Sequence, residues 1–352
     1  MVEVAVTDEA PRFSEVFAEL AAGGRLPPDR VRQVFGAILA GSWTPAQIAG
    51  LLVALRLTGE DAEVITAAAL ALRDAMVPVA HGLDRVLDTC GTGGDHSGSL
   101  NLSTGAALIA AAAGVAVAKH GNRAASSRTG TADVLEALGL PFDVPTAAQG
   151  EILRDCRIAF LLAPLHHPAM RHAGPVRREL GIRTLFNCLG PLANPARATH
   201  QLLGAFDDAT RRALAQALAK LGTRRAWVVW GTDGLDEVSP YAPTRVTVID
   251  GGSLEEIEIA PEDFGLQRLP PGAARGGDPE ENARALEAVL RGEAHPASDA
   301  FVLNGAAALV VAEGLAPRLA AERARELVRS GAAWKTFESW RDRAQAARAE
   351  GS

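Results

Sequence analysis

Cysteine is scarce in this chain of 352 residues, which contains only Cys90, Cys156 and Cys188. The three are widely spaced and form no C-x-x-C pair, which argues against a disulfide framework. Their pattern is typical of a reducing compartment, so we expect a cytoplasmic location. Cys90 abuts a glycine-rich loop, but no neighbour marks it as a nucleophile, and we interpret it as a small packing residue.

Aromatic residues and positive charge are also sparse: aromatics make up 5% of the chain and the formal net charge is −7. A general nucleic-acid binder would have a basic face, so we expect no nucleic-acid partner.

The longest run of small apolar residues, 106–118, is too short to span a bilayer, and the acidic first ten residues do not resemble a signal peptide. We therefore expect no membrane partner, and any binding of phosphate must depend on a few local groups.

The common nucleotide-binding motifs are missing. No G-x-x-x-x-G-K-[ST] occurs, which excludes the P-loop of the nucleoside triphosphatases. The loop G-T-G-G-D-H, which starts at Gly91, lacks the last glycine of the dinucleotide fingerprint. Asp95 inside such a loop is out of place unless it orders the loop, binds a sugar hydroxyl or reaches a metal ion.

Two polar loops follow one another between residues 88 and 133. A short apolar segment at 85–87 leads into the glycine loop 91–98, and a helix opens near 101–104, where Asn, Ser and Thr can cap free backbone N–H groups. A buried strand is predicted at 115–118, a second polar loop at 119–129, and a helix at 132–138.

Successive strand–loop–helix units of this kind predict an anion site. In parallel α/β sheets, ligands bind at the carboxyl ends of the strands, where helix N-termini point N–H groups at anions. Glycines let the backbone approach a phosphate closely. The loops add neutral donors and two cations: Asn101, Ser103, Thr104, Asn122, Ser126, Ser127, Lys119 and Arg123. These residues predict a site for a ligand that carries more than one phosphate group.

A pair of carboxylates follows another predicted strand, 226–230, in the sequence G-T-D-G-L-D-E. Asp236 and Glu237 would then lie at the carboxyl end of that strand. Mg²⁺ takes one or two carboxylates together with phosphate oxygens of its ligand, so this pair suits a magnesium ion. As a bare turn the motif is common, and it gains weight only because the chain also has a predicted polyphosphate site.

The stretch 163–195 is rich in histidine, arginine and proline. His166, His167 and His172 lack the i, i+4 spacing of a helical zinc pair, which argues against a metal site there. Arg177, Arg178 and Arg183 are different, because a guanidinium is the preferred partner of a carboxylate. We expect at least one of the three to be a solvated helix charge.

The remaining chain predicts the fold class: α/β with a separate all-helical domain. Residues 13–76 predict four helices, and the connector 77–83 marks a boundary. A mainly parallel central sheet flanked by helices should follow. An antiparallel pair is expected at 246–249 and 254–259, and helices at 281–291, 301–312 and 320–329, with a polar tail, 341–352, that frays.

The motifs G-T-G-G-D, N-L-S-T and K-H-G-N-R resemble the ribosyl-pyrophosphate loops of the anthranilate phosphoribosyltransferases of tryptophan biosynthesis. The stretch H-P-A-M to N-P resembles the same family, and the resemblance covers about residues 13–340. It implies transfer of phosphoribose from phosphoribosyl pyrophosphate to the amine of anthranilate, with release of pyrophosphate. It also implies a small domain, 1–77, joined by helices from about 168–194, and a large domain, 78–167 and 195–352.

The resemblance further implies a role for individual residues. Phosphoribosyl pyrophosphate would be held by Gly91, Gly94, Asp95, Ser99, Asn101, Leu102, Ser103, Thr104, Lys119, His120, Gly121, Asn122, Arg123, Ala124, Ala125, Ser126, Ser127 and Thr131. Anthranilate would be held by Gly91, Asn122 and Arg177. Two Mg²⁺ ions are implied, one on Ser103 and a second on Asp236 and Glu237. No general base is assigned, and His120 is a candidate for that role.

Two positions depart from the family pattern. Thr131 stands where the family usually has serine, which keeps a hydroxyl, and Trp230 stands where it often has histidine. Trp230 lies outside the implied ligands, so we expect a change of packing only.

A homodimer through the N-terminal helices is expected, because their apolar surface exceeds what four short helices need for themselves. Val34 and Leu52 are candidates for its exposed face. The resemblance implies the same dimer.

Two other functions compete with this interpretation. A pyrimidine nucleoside phosphorylase has the same fold and would use inorganic phosphate and a nucleoside. The adjacent carboxylates and the complete loops favour a magnesium–pyrophosphate ligand instead. The other alternative is a non-catalytic relative that binds nucleic acid, and the acidic net charge opposes it.

Overall fold

The computed structural model describes residues 10–95, 97–124 and 128–350. Three residues of the predicted phosphate site, Ala125, Ser126 and Ser127, lie outside these ranges. Within them, no single helix is both long and apolar enough to cross a membrane.

Four helices form the N-terminal part of the chain, as the sequence predicts. The third begins with a capping box, in which the Thr44 and Gln47 side chains each accept a hydrogen bond from the other's backbone N–H. The helices are α1 (Phe13–Ala21), α2 (Pro28–Leu39), α3 (Pro45–Thr58) and α4 (Ala62–Asp74).

A seven-stranded sheet forms the centre of the α/β part, with the order β3-β2-β1-β4-β5-β6-β7. β1 to β5 are parallel, and β6 and β7 add an antiparallel pair at one edge. The predicted mainly parallel sheet is therefore confirmed. The strands are β1 (Leu87–Gly91), β2 (Val117–Gly121), β3 (Ile158–Leu162), β4 (His200–Gly204), β5 (Arg225–Gly231), β6 (Thr244–Asp250) and β7 (Ser253–Ile259).

Helices follow the strands and cover both faces of the sheet. Two short 3₁₀ helices, Pro168–His172 and Pro261–Phe264, lie among them. The α-helices are α5 (Leu102–Ala112), α6 (Thr131–Ala137), α7 (Thr146–Cys156), α8 (Ala163–His166), α9 (Gly174–Leu180), α10 (Phe186–Leu192), α11 (Asp208–Lys220), α12 (Pro279–Leu290), α13 (Ser298–Glu313), α14 (Pro317–Arg329) and α15 (Ala332–Glu350).

The apolar side chains form two clusters, one on each face of the sheet. Successive residues of a strand point to opposite faces, so Leu202 belongs to the cluster around α5 and α13, and Leu203 to the other. The second cluster contains the buried side chains of α1 to α4 together with Ala173, Val176 and residues of α10. The segment that carries Arg177 thus packs with the N-terminal helices.

Two predicted boundaries are wrong. The strand expected at 115–118 is β2, Val117–Gly121, so Lys119 and His120 lie in a strand and not in a loop. The tail expected to fray is part of α15, with Ala344 and Ala347 buried. Its Arg343 lies 3.2 Å from Glu151, so its charged face is anchored to α7.

α5 and α13 approach each other closely at Gly105. A Cβ atom there would lie 2.2 Å from the Phe301 ring. We expect Gly105→Ala to destabilise the protein by about 1–3 kcal/mol through overpacking, measured as a lower urea midpoint. The control is Gly36→Ala in α2, where a Cβ would meet nothing within 4 Å. An equal loss in both variants would contradict the tight contact.

Candidate functional site

The carboxylate of Asp236 lies against the glycine loop that follows β1. Its Oδ2 accepts a hydrogen bond of 2.9 Å from the Gly93 N–H. The strand order allows this contact, because β4 alone separates β1 from β5. The last residues of β1 and β4 are both glycines. A Cβ atom at Gly91 would lie 2.5 Å from Asp236 Oδ2, and one at Gly204 would lie 1.5 Å from the Asp236 carbonyl oxygen. Glycine at these two positions makes room for the aspartate.

Glu237 joins the glycine loop to the start of α5. Its Oε1 accepts from the Ser103 N–H at 3.2 Å, and its Oε2 accepts from the Ser99 hydroxyl at 3.4 Å. A carboxylate at a helix N-terminus is favoured by the helix dipole. The two residues predicted from the motif D-G-L-D-E therefore lie beside the glycine loop.

The site concentrates negative charge in a buried place. Burial raises the pKa of Asp236, and the neighbouring Asp95 carboxylate raises it further. Burial, followed by the charges of Asp236 and Asp95, raises the pKa of Glu237. Asp95 Oδ2 is buried and has no hydrogen-bond partner among the described residues. Carboxyl groups with raised pKa values take up protons more readily, and a divalent cation bound to their oxygens can take the place of those protons.

The protein alone does not complete a metal site. In the described part of the chain, no three carboxylate, imidazole or thiolate groups converge so that they could hold an ion by themselves. This fits Mg²⁺, which keeps several waters and is held by one or two carboxylates plus phosphate oxygens of a ligand.

Lys119 is buried beneath the loops, with 2% of its surface exposed. Its ammonium donates to the Thr89 carbonyl and to the Ser103 hydroxyl, the latter at 3.2 Å. Burial lowers the pKa of Lys119, and Asp88 is the first of the anions that oppose this shift. The lysine thus orients the hydroxyl predicted to bind magnesium.

His120 follows Lys119 in β2 and is also buried. Its backbone N–H donates to Asp88 Oδ1 at 3.1 Å, and its ring Nδ1 lies 3.0 Å from the Gly190 carbonyl, to which it can only donate. Nε2 is buried without a partner among the described residues. Burial, and next the neighbouring His167, lower the pKa of His120 to about 3. The ring is therefore neutral at physiological pH.

The second loop is organised by an aspartate of α6. Asp133 Oδ2 accepts from the N–H groups of Ala124 and Gly130, each at 2.9 Å. The Arg123 guanidinium, predicted as a free cation for phosphate, lies 3.2 Å from Asp133 and 2.6 Å from Glu136. Its charge is therefore paired within the protein, and phosphate binding by Arg123 stays a prediction. Thr131 begins α6.

Residues 274–277, which precede α12, lie against the glycine loop. The Leu100 N–H donates to the Ala274 carbonyl at 2.9 Å, and the Gly276 N–H donates to the Gly98 carbonyl at 2.7 Å. Asn282 of α12 holds both sides, because its Nδ2 donates to Asn101 Oδ1 at 3.0 Å and its Oδ1 accepts from the Gly277 N–H at 2.7 Å.

The contact of Asn101 with Asn282 corrects one expectation. Asn101 stands at the N-cap position of α5, but its side chain makes no capping hydrogen bond. The capping box of Asp278 and Glu281 marks the end of the 274–277 segment in the sequence. It does not indicate that this segment contacts the glycine loop.

Arg177 lies on α9, as predicted, and is half-buried, whereas Arg178 is exposed. The Arg177 guanidinium stacks 5.5 Å from the centre of the Phe186 ring. Burial lowers the pKa of Arg177. Over the described residues, no carboxylate lies within ion-pair distance of Arg177, and no hydrogen bond joins it to the two loops.

The buried His120 ring predicts a loss of stability in acid. Its pKa is about 3 in the folded state, below the ordinary value of 6.5, so between these values only the unfolded state binds the proton. Stability is therefore lost as the pH falls below about 6.5, by about 2 kcal/mol at pH 5. Urea denaturation at pH 7.5 and pH 5 should show a smaller decline in His120→Asn than in the wild type. An equal decline in both would contradict a buried neutral ring.

Two family descriptions match the chain. "Glycosyl transferase family, a/b domain" matches residues 83–334, and "Glycosyl transferase family, helical bundle domain" matches residues 14–76. Among curated proteins, the anthranilate phosphoribosyltransferase of Methylobacterium radiotolerans is 49% identical over 92% of this chain and 94% of its own. That of Symbiobacterium thermophilum is 46% identical over 94% of this chain and 98% of its own.

Solved structures agree with these matches. The anthranilate phosphoribosyltransferase of Thermus thermophilus superposes with a TM-score of 0.88 at 43% identity, over 93% of this chain and 98% of its own. The enzyme of Saccharomyces cerevisiae, in complex with phosphoribosyl pyrophosphate and magnesium, also has a TM-score of 0.88, at 30% identity over 95% of this chain and 98% of its own. The chain belongs to the anthranilate phosphoribosyltransferase family.

Proposed function

We propose that this protein transfers the phosphoribosyl group of phosphoribosyl pyrophosphate to the amine of anthranilate, a step of tryptophan biosynthesis, and releases pyrophosphate. The observation that carries the proposal is the pair formed by the buried Asp236 and the half-buried Glu237. The two carboxylates hold the backbone of the glycine loop and of the α5 N-terminus beside a concentration of negative charge. Such a site suits a magnesium-bound polyphosphate, and the family supplies the identity of the sugar and the acceptor.

The chemical difficulty lies in the leaving group. The bond between C1 of the ribose and the pyrophosphate oxygen breaks, and a bond from C1 to the amine nitrogen forms on the opposite face. The nitrogen then gives a proton to water or to the released pyrophosphate. Backbone N–H groups of the glycine loop stabilise charge on the departing pyrophosphate. The aniline nitrogen needs little activation, so positioning supplies much of the effect. A neutral His120 with a pKa of about 3 is a weak base, and we assign it no proton transfer.

Magnesium fits the residues present, because the carboxylates are buried and Asp95 Oδ2 has no partner among the described residues. When bound, the metal supplies positive charge to the pyrophosphate. We propose two ions, one on Ser103 and one on Asp236 and Glu237. Lys119 supports the first by donating to the Ser103 hydroxyl. The structure of the yeast relative with phosphoribosyl pyrophosphate and magnesium supports the use of the metal but not the number of ions.

The acceptor site is proposed around Arg177, Asn122 and Gly91. Arg177 is half-buried and lacks a carboxylate partner in the described ranges, and its guanidinium is stacked on Phe186. A stacked guanidinium is held in one plane and can take a carboxylate through two hydrogen bonds. A yeast relative has been solved with 4-fluoroanthranilate, with a TM-score of 0.86.

A homodimer is proposed through exposed apolar residues of α1 and α3. Phe17, Val53 and Leu57 expose 44%, 36% and 82% of their surface. Val53 and Leu57 are four residues apart and so share one face of α3. Val34 and Leu52, the sequence-based candidates for this face, are wrong, because both are fully buried in the helical core.

The domain division is a proposal too: residues 1–77 joined by helices from 168–194, and the α/β remainder. It is supported by the apolar cluster that α10 shares with the N-terminal helices. The cytoplasmic location stays a prediction.

A direct assay tests the reaction. Purified protein with magnesium, phosphoribosyl pyrophosphate and anthranilate should consume the fluorescence of anthranilate and release pyrophosphate. Phosphorolysis of uridine or thymidine without that activity would favour the nucleoside phosphorylase alternative. The named relatives do not support that alternative.

The double variant Asp236→Asn with Glu237→Gln tests the metal site. It should fold, because the amides still accept hydrogen bonds from the loop, but it should need at least about tenfold more magnesium for half-maximal turnover, as loss of a charged ligand implies. Glu255→Gln with Glu258→Gln on the edge strand β7 serves as the matched control. An unchanged magnesium titration would show that the pair only shapes a turn.

Arg177→Ala tests the acceptor site. Loss of a charged hydrogen bond typically costs about 1.5–3 kcal/mol, so the KM for anthranilate should rise roughly 10–150-fold. The KM for phosphoribosyl pyrophosphate should change little, because no contact joins Arg177 to the phosphate loops over the described residues. The exposed neighbour provides the control, Arg178→Ala, which should do much less. Equal losses for both substrates would place Arg177 in the fold or in the phosphate site.

The double variant Val53→Glu with Leu57→Glu tests the dimer. Light scattering should give twice the chain mass for the wild type and the chain mass for the variant at micromolar concentration. The control is Leu319→Glu on α14, which is 53% exposed but far along the chain from this face. A monomeric wild type would exclude the dimer.

A further inference from the structure

Arg183 joins the segment between α9 and α10 to the glycine loop that follows β1. It lies between α9 and α10, six residues after Arg177. Its Nη2 donates a hydrogen bond to the Gly94 carbonyl in the glycine loop. Its guanidinium lies 4.2 Å from the centre of the ring of Phe206, just beyond the end of β4. The aromatic ring thus packs against the guanidinium, and the guanidinium holds the loop.

The glycine loop is held from two sides. On one side the Gly93 N–H donates to Asp236, and on the other the Gly94 carbonyl accepts from Arg183. Both glycines have positive φ angles, 66° and 77°, which residues with a side chain rarely adopt. A loop in this conformation has few internal restraints, so these external contacts determine which way its peptide groups point.

The orientation of one peptide group follows from the Arg183 contact. In a trans peptide, the carbonyl of one residue and the N–H of the next point in opposite directions. With the Gly94 carbonyl directed at Arg183, the Asp95 N–H is directed away from it. The Asp95 carboxylate follows this peptide group: its Oδ1 accepts from the Ser97 N–H at 3.3 Å, and its Oδ2 is buried without a partner among the described residues.

We propose that Arg183 is a positioning residue for the ribosyl-pyrophosphate half of the site. It acts through the Gly94 carbonyl and sets the direction of the Asp95 N–H and carboxylate, without contacting the ligand. The assignment rests on the proposed function. Phe206 supports this role, because its ring packs against the guanidinium that donates to the Gly94 carbonyl.

The test uses the full-length protein, four single variants and one double variant. Magnesium and phosphoribosyl pyrophosphate are titrated calorimetrically into the wild type, Arg183→Gln, Arg183→Lys, Phe206→Leu and the control Arg178→Gln, and both KM values and the melting temperature are measured. Arg183→Gln should weaken phosphoribosyl pyrophosphate binding about tenfold, as expected for the loss of a charge-assisted hydrogen bond. The KM for anthranilate should change less.

Phe206→Leu separates positioning from direct contact. It leaves the charge of Arg183 in place but removes the stacking surface, so it should weaken binding in the same direction by about threefold. Its effect should not add to that of Arg183→Gln in the double variant, because both act through one restraint. Arg183→Lys keeps the charge without the planar fork and should restore binding only in part. Arg178→Gln should match the wild type.

Four outcomes would overturn the assignment. Wild-type affinity in Phe206→Leu together with full rescue by Arg183→Lys would mean that Arg183 acts by charge on the ligand. Lower melting temperatures with unchanged affinity would mean a structural role only. A wild type that neither binds phosphoribosyl pyrophosphate nor turns over would defeat the proposed function, and the assignment with it. Binding by the wild type with unchanged variants would defeat the assignment alone.

Discussion

Two neighbouring carboxyl groups whose ionised forms are destabilised by burial and by nearby carboxylates are the constraint on which the rest of this site depends. Asp236 and Glu237 lie within the protein, close to Asp95, and burial raises the pKa values of both. The chain partly compensates with backbone donors, the Gly93 and Ser103 N–H groups. Neutral donors do not remove the repulsion between the ionised carboxylates, so a proton or a bound cation is needed to compensate it.

The architecture around this charge follows from steric need. The Asp236 backbone lies so close to Gly204 that a Cβ could not be accommodated, and its carboxylate excludes one at Gly91. The glycine loop is thereby drawn against the loop after β5, across the end of β4. Arg183 holds the other side of the glycine loop, and the 274–277 segment holds Gly98 and Leu100. Groups proposed to bind the ligand thus come from distant parts of the chain and are held by the protein itself, which would reduce the entropy lost on binding.

Beneath the loops, a second set of buried polar groups is satisfied internally. Asp88 accepts from the His120 N–H and from Asn194 Nδ2, the latter at 2.8 Å, and burial raises its pKa to about 6. Lys119 lies near this carboxylate and donates to Thr89 and Ser103. A buried lysine and a buried aspartate offset each other's charge. The positive charge nearest to the predicted magnesium ligands therefore belongs to a network that also supports the sheet.

Local patterns were sufficient to predict the strand–loop–helix units, the four N-terminal helices and the Asp236–Glu237 pair, because glycines, caps and periodic apolar residues act over a few positions. The predictions from sequence were wrong where contacts between distant residues override the local preference for a loop. Lys119 and His120 are polar and read as a loop, yet their partners Asp88 and Ser103 let them lie in a buried strand. Asn282 reaches Asn101 from 181 residues away, and no local pattern reveals such a contact. Leu52 was predicted to be exposed, whereas Val53 and Leu57 are the exposed residues. In a helix that is apolar on several faces, the sequence does not show which face is buried.

The central claim is that the buried carboxylates make phosphoribosyl pyrophosphate and magnesium bind together. Calorimetric titration of the wild-type protein with phosphoribosyl pyrophosphate, with magnesium and with chelator, tests it most directly. Binding should be strong with magnesium and weaker by at least about tenfold without it, since the cation is what links the carboxylates to the anionic pyrophosphate. Equal affinity in the two titrations would contradict the account.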